Sequence, residues 1–359
     1  MNIVHCVYRE DTELSKQGGS KGKRIIITVL AVLVLLVLIV LEGARIFFRS
    51  PVKDYYKASE KEFLIPGLGN GMVPQGLDYI EHEGVYLVGG YQKNHKPSRI
   101  YRVKKSDGKD TGFVYLCDEN GKEISPHAGG LAVDGKYVFV TGNENDVYVY
   151  LLDDVLNKEN GSAVNMAGRF SLRFGDDRIV PAWICFSNDR MIVGEFYRLP
   201  NYPTSDTHVF TGASNETNHA LALCYRFSAD ETARFGIEMQ PFEAYSLPDL
   251  VQGMAVHNGK IWLSQSWGTA KSCITCHDVN GSSPSGTVKT DNGTINVYPL
   301  DSSTQVSAFN APPMSEEIVF VDGKLLIMCE SASRKYYFGN LTGGRWCYST
   351  DVEKLKSNT

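Results

Sequence analysis

The chain has 359 residues, 43% hydrophobic and 21% charged, with a formal net charge of -5. This is a globular composition, which speaks against disorder, and it is enough for one large domain or two ordinary ones. No long basic run occurs outside the N-terminus, so nucleic acid is not an expected partner.

The first element is an apolar helix. Residues 25–41 are aliphatic apart from Thr28, and Gly43, Ala44 and the Ile46-Phe47-Phe48 cluster extend them. At about 1.5 Å per residue the stretch spans a hydrocarbon core of roughly 30 Å. Lys21, Lys23 and Arg24 precede it, while Arg45 and Arg49 follow, so the charge bias is modest. The positive-inside rule reads residues 1–24 as a cytoplasmic tail and 25–48 as a single-pass signal-anchor in the cell membrane. The remainder is then extracytoplasmic. A cleaved signal peptide is the rival; the run is long for one, and no Ala-x-Ala follows. Residues 49–60 read as a short stalk and 61–359 as the folded domain.

Along that domain one phrase recurs five times. It is a small or polar pair, an apolar alternation, a tight turn and a second apolar alternation. The copies start at Gln75-Gly76-Leu77, Gly129-Gly130-Leu131, Ala182-Trp183-Ile184, Gln252-Gly253-Met254 and Glu316-Glu317-Ile318. Their partner strands are expected at 85–88, 137–140, 191–193, 261–263 and 325–328. The starts are 54, 53, 70 and 64 residues apart, and each interval holds two more strand patterns. A strand-rich repeat of this length predicts an all-β fold, a β-propeller. Residues 62–66 stand to Gln75 as 242–247 stand to Gln252, so they read as a fourth strand without its blade. Five blades closed by 62–66 are expected, with six the alternative; closure removes the open sheet edge.

In a propeller the first strand of each blade lines the central channel, and its start shares a face with the end of the second strand. That register gathers Gln75, His127, Trp183, Gln252, Glu316 and Glu317 at one mouth, with Glu195, Gln265 and Glu330 on its rim. Converging acids, amides, one His and one Trp suit a polar ligand. The oxygens also suit a calcium ion, the one cofactor expected, in the central channel. Strand-end amides need partners too, so each residue alone has a purely structural reading. The longest loop on this face, 198–218, is long enough to cap the mouth.

Eight cysteines are present, seven of them after the apolar helix. Cys185, Cys224 and Cys329 lie in strand patterns and read as small buried hydrophobes. Cys273-Ile274-Thr275-Cys276-His277 matches the c-type haem attachment motif. It falls on the third strand of the fourth blade, where Cys273 and Cys276 face opposite sides. That alternation speaks against haem at Cys273, Cys276 and His277. A lone pair of this kind, with no second pair at finger spacing, also speaks against zinc. The Asn-x-Ser/Thr sequons have meaning only in a eukaryotic secretory pathway.

Pro74-Gln75-Gly76-Leu77 with Val88-Gly89-Gly90-Tyr91 and Ser98-Arg99-Ile100 resembles the first blade of glutaminyl cyclases, which are five-bladed propellers. Val251-Gln252-Gly253-Met254 with Leu263-Ser264-Gln265-Ser266-Trp267-Gly268 repeats that look. The span 65–349 is also similar to a group of membrane-anchored or secreted propellers of Gram-positive bacteria, in which phrases like His127-Ala128-Gly129-Gly130, Gly194-Glu195-Phe196-Tyr197 and Pro312-Pro313-Met314-Ser315-Glu316-Glu317 recur. Both resemblances imply the fold. The Asn-Glu-Leu-Glu phrase of the cyclases is missing here, so their activity is not implied.

Three functions are compatible with these readings. The leading expectation is a binding module whose mouth holds a small polar or peptidic ligand. Gln75, His127, Glu195, Gln252, Glu316, Glu317 and Glu330 would supply polar contacts and Trp183 a stacking face. The second is a hydrolase or cyclase using Glu195 or Glu316 as general base, helped by His127. The third is a scaffold that binds a neighbouring membrane or secreted protein through its sides.

Overall fold

The computed structural model describes residues 7–356 except 188 and 337, with side chains from 22 onward. The chain divides into two units, Met1–Ser50 and Pro51–Thr359. The first contains the helix Val7–Arg49. Its aliphatic residues from Ile25 to Leu41 are exposed. The helical run Gly22–Ala58, 37 residues, is long and apolar enough to cross a membrane.

The second unit is a five-bladed β-propeller. Blade I is built from Met72–Ile80, Val85–Gln92, Arg99–Lys104 and Asp110–Cys117; blade II from Leu131–Asp134, Tyr137–Thr141, Asp146–Leu151 and Gly168–Ser171. Blade III uses Trp183–Ser187, Arg190–Gly194, Ala220–Arg226 and Glu243–Leu247. Blade IV uses Val251–His257, Lys260–Gln265, Ser272–His277 and Gln305–Ala311. Blade V has three strands from the C-terminal end, Ser315–Val321, Lys324–Cys329 and Trp346–Thr350. Its outer strand, Ser59–Leu64, comes from the N-terminal end, with Ser59 opposite Thr350 and Leu64 opposite Trp346. The expected closure is therefore present, shifted three residues toward the N-terminus at its start. It joins the two ends of the ring by main-chain hydrogen bonds.

Two findings lie beyond the repeat pattern. The link between the third and fourth strands of blade II turns back and adds Ser162–Asn165, parallel, to the outer strand of blade I. The same link in blade IV forms a hairpin, Gly286–Thr290 with Gly293–Pro299, and adds it in parallel to the outer strand of blade III. These inserts extend two blade edges, and the hairpin lies within the 64-residue interval of blade IV. Residues 51–58 differ from the expected stalk. They form a 3-10 turn and the short helix Lys53–Ala58. Val52 and Tyr55, 2% and 1% exposed, pack with Trp262, Ile274 and Tyr348 of blades IV and V. Two apolar side chains on one helical face have more to gain in that core than in water.

The first strands approach one another closely at the axis. A Cβ on Gly130 would lie 2.5 Å from the backbone nitrogen of Ile184, and one on Gly253 would lie 2.7 Å from Cα of Glu317. The small residue in the repeat phrase is thus required by backbone packing at the centre.

Candidate functional site

The mouth is shaped by bulges. The first strands of blades I, IV and V slip register between Pro74 and Leu77, Val251 and Gly253, and Ser315 and Ile318. A bulge interrupts the ladder and re-aims side chains. In blade V it releases two successive acids, Glu316 and Glu317, which are 2% and 1% exposed.

Glu317 enters the channel. Its Oε2 accepts the Leu131 N–H at 2.9 Å. The N–H groups of Leu77 and Ile184 also favour its charged form, so three other blades converge on it. Burial nevertheless pushes its pKa well above the carboxylate range, with repulsion from Asp78 adding to the rise. Asp78 ties blade I to blade II by accepting the Val133 N–H at 2.6 Å, and it accepts the Tyr79 N–H at 2.7 Å. Burial raises Asp78 to about 7. Glu317, expected as a ligand contact, stands at the axis beside main-chain donors of three blades, and its Oε1 has no hydrogen-bond partner among the described residues.

Glu316 stays at the mouth. Burial, then repulsion from Glu330 and Glu317, drives its pKa well up, and no hydrogen bond relieves it among the described residues. Glu330 accepts from Gln75 Nε2 at 3.0 Å. Its pKa is also raised by burial, although Lys335, Tyr336 and Gln75 favour the charged form. Around the acids stand Tyr91, its ring 4.8 Å from His127, and Tyr336. His127 is exposed at its surface, while the protein packed around its ring, with the charge of Lys335, lowers its pKa to about 4. The wall continues in Phe196, Tyr202 and Trp267, ring centroids 5.3–6.1 Å apart. Arg198 lies 4.0 Å over the Trp267 ring. Gln75, His127, Glu316 and Glu330 are therefore gathered as the register implied. Tyr91, Tyr336 and Lys335 were not foreseen, because the last two lie on an irregular segment outside the repeat.

Other expected residues go elsewhere. Trp183 is fully buried and presents no stacking face. A Cβ on Gly194 would lie 1.9 Å from its ring, so the opposing glycine exists to admit the indole into the core. Gln252 is half-buried at its bulge, and Gln265 donates to the Asp249 carbonyl at 3.0 Å. Glu195 is engaged by the long loop. Its Oε2 lies 2.8 Å from Nδ1 of His208 and accepts the Leu221 N–H at 3.1 Å. His208 Nε2 is 3.3 Å from Asp177. Burial opposes the His208 charge, but the two carboxylates outweigh it and raise its pKa. Only the start of the loop meets the mouth, where Tyr202 contacts Trp267. Its later part is tied down by Ser214 on Asp301 at 2.6 Å and by Asn218 on the Ser246 carbonyl at 2.9 Å.

The haem-like motif occupies the third strand of blade IV, Cys273 opposite Asn310 and Cys276 opposite Ser307. Both His277 ring nitrogens are hydrogen-bonded, to Thr304 and Thr275 at 3.0 Å each, and burial lowers its pKa to about 4. The seven described cysteines are free thiols. Among the described residues no group of three or more His, Cys, Asp or Glu side chains is arranged to hold a metal ion.

No protein-family model matches the chain. No curated protein matches it in sequence. Solved propellers are similar in structure at low identity. Glutaminyl cyclase of Myxococcus xanthus is 11% identical, covering 81% of this chain and 92% of that one, with a TM-score of 0.39. A nidogen/laminin complex is 14% identical over 72% of this chain and 73% of that one, TM-score 0.36. BamB from Moraxella catarrhalis is 8% identical over 72% and 83%, TM-score 0.30.

Proposed function

We propose that this chain is a membrane-anchored propeller, held by residues 25–48 with 1–24 in the cytoplasm, whose extracytoplasmic mouth binds a small polar or peptidic ligand. The observation that carries this is Glu316. A buried carboxyl with no hydrogen bond among the described residues, beside a second buried acid, costs free energy unless something else repays it. A mouth ringed by Tyr91, His127 and Tyr336 offers both polar and apolar contacts to such a ligand. The test is ligand-observed NMR on the full-length protein in detergent, against short peptides, amines, sugars and calcium. Binding in the wild type that is lost in Glu316→Gln supports the reading. A ligand that binds equally to both sinks it. Calcium is the competing occupant of the same acids. The topology is tested by tag accessibility in intact cells; an exposed N-terminal tag refutes it.

A second reading is favoured by one observation, the pairing of Glu316 with Glu330. Two buried acids that repel each other titrate apart, so that one keeps its proton to higher pH than the other. With His127 uncharged above about pH 4, such a pair could hydrolyse or cyclise an amide, ester or lactone. A pH–rate profile on an ester, a lactone and an N-terminal glutaminyl peptide would separate the readings. No turnover above Glu316→Gln rejects the enzyme for those substrates.

A further inference from the structure

We propose that the mouth recognises a primary alkylammonium group of lysine length, and that Lys335 is a built-in competitor for it. This rests on the reading of the mouth as a binding site. The chain's own ammonium marks the place. Lys335 Nζ donates to the Tyr91 hydroxyl at 2.5 Å and lies 5.2 Å from the Tyr91 ring centroid and 5.1 Å from that of Tyr336. Two aromatic faces within about 6 Å of an ammonium form a cation–π seat. The same charge acts on Glu316, Glu330 and His127, the groups beneath it. Yet among the ion pairs of the described residues none joins Lys335 to Glu316 or Glu330. The ammonium is held at the aromatic rim, and the acids lie deeper.

Lys335 is exposed and belongs to the irregular segment between Cys329 and the short helix Gly339–Thr342, so its side chain can swing outward. A compact ammonium with three donors suits the two acids and the Tyr91 hydroxyl better than a planar guanidinium does. An anion opposes any ionisation of the acid pair and gains no charge partner from it. A neutral ligand supplies no charge to offset the burial that favours the acids' protonated forms. A cation drives them to ionise, so its arrival releases protons.

The experiment uses full-length protein in detergent micelles and isothermal titration in buffers of different ionisation heat. The probes are Nα-acetyl-lysine methylamide and cadaverine, with the norleucine and arginine analogues as controls. Lys335→Met keeps the apolar stem and removes the charge; Lys335→Gln is the second variant, and thermal melts check both. The expected result is binding at least about tenfold tighter in Lys335→Met than in wild type, since a like charge has been removed. It is accompanied by proton release at pH 7, and adding Glu316→Gln and Glu330→Gln abolishes it. A preference for the acetylated amide over cadaverine identifies peptide lysine as the source, and the reverse identifies a free amine. The proposal is overturned if both Lys335 variants bind the amines no better than wild type, or if norleucine binds as well as lysine. If a neutral or acidic compound binds the mouth while the amines do not, this inference fails and the binding site stands. If nothing binds any variant, both fall.

Discussion

Glu316 and Glu317 are neighbours in sequence, equally buried, and released by the same bulge, but they serve opposite ends. Glu317 accepts the Leu131 N–H through Oε2 and is favoured in its charged form by the Leu77 and Ile184 N–H groups of two further blades, while its Oε1 has no hydrogen-bond partner among the described residues. Glu316 meets another acid and no donor among the described residues. The difference teaches how burial should be interpreted. A buried acid beside main-chain donors has work to do in the fold, whereas one left facing a second acid is a candidate for a site.

The comparison is most severely tested at Glu317. Its replacement by Ala strands three main-chain donors and opens a void at the axis, and should cost about 4 kcal/mol in denaturant unfolding. Glu317→Gln, which keeps an acceptor, should cost about 1 kcal/mol. If Ala were tolerated, these donors would not depend on Glu317. Next comes the buried lock on the long loop. His208→Ala leaves Glu195 and Asp177 without their shared cation and should cost about 2 kcal/mol. Because the folded pKa of His208 is raised, the stabilisation from this charge is present below its ordinary pKa. It is lost as pH rises through the raised value. Proteolytic nicking within 198–218 should therefore increase on the alkaline side, and His208→Ala should remove that dependence.

Asp78 gives a subtler signal. Its folded pKa, about 7, exceeds the ordinary 3.8, so the fold binds the proton more tightly than the unfolded chain does. Stability should then fall as pH rises from about 4 to 7, by at most one proton's worth of slope, and Asp78→Asn should erase that component in urea titrations across this window. Glu316→Gln is expected to have the smallest effect on the fold. Replacing a buried acid that has no hydrogen bond among the described residues should leave the unfolding free energy within about 1 kcal/mol of wild type, or raise it, while abolishing ligand binding. A large loss of stability would place Glu316 with Glu317 as a structural residue.

The blades were legible because each repeat carries its own strand alternation and turn, and strand periodicity is a local property. The mouth residues Gln75, His127, Glu316 and Glu330 followed from register for the same reason. Trp183 did not, since the indole and a small residue occupy equivalent repeat positions and only the space beside Gly194 admits the ring to the core. Glu195 was rightly placed at a strand end, but its partner His208 lies in an irregular loop whose path no periodicity records. Tyr336 and Lys335 escaped for that reason too. The inserted strands Ser162–Asn165 and Gly293–Pro299 pair with a preceding blade, and the stretch expected as a stalk packs into a distant one.

The sequence by itself determined the five repeats, the closing N-terminal strand, the apolar helix and the face on which a site could form, because hydrophobic alternation and glycine placement act over a few residues. Only the tertiary structure decided which of two adjacent glutamates would meet main-chain donors at the axis and which a second acid at the mouth. That outcome depends on donors from blades I, II and III meeting at the axis, and on the nearness of Glu316 to Glu330, the acid just past the end of the neighbouring strand. Electrostatic fate is set by what surrounds a charge in three dimensions, and residues remote along the chain supply most of those surroundings.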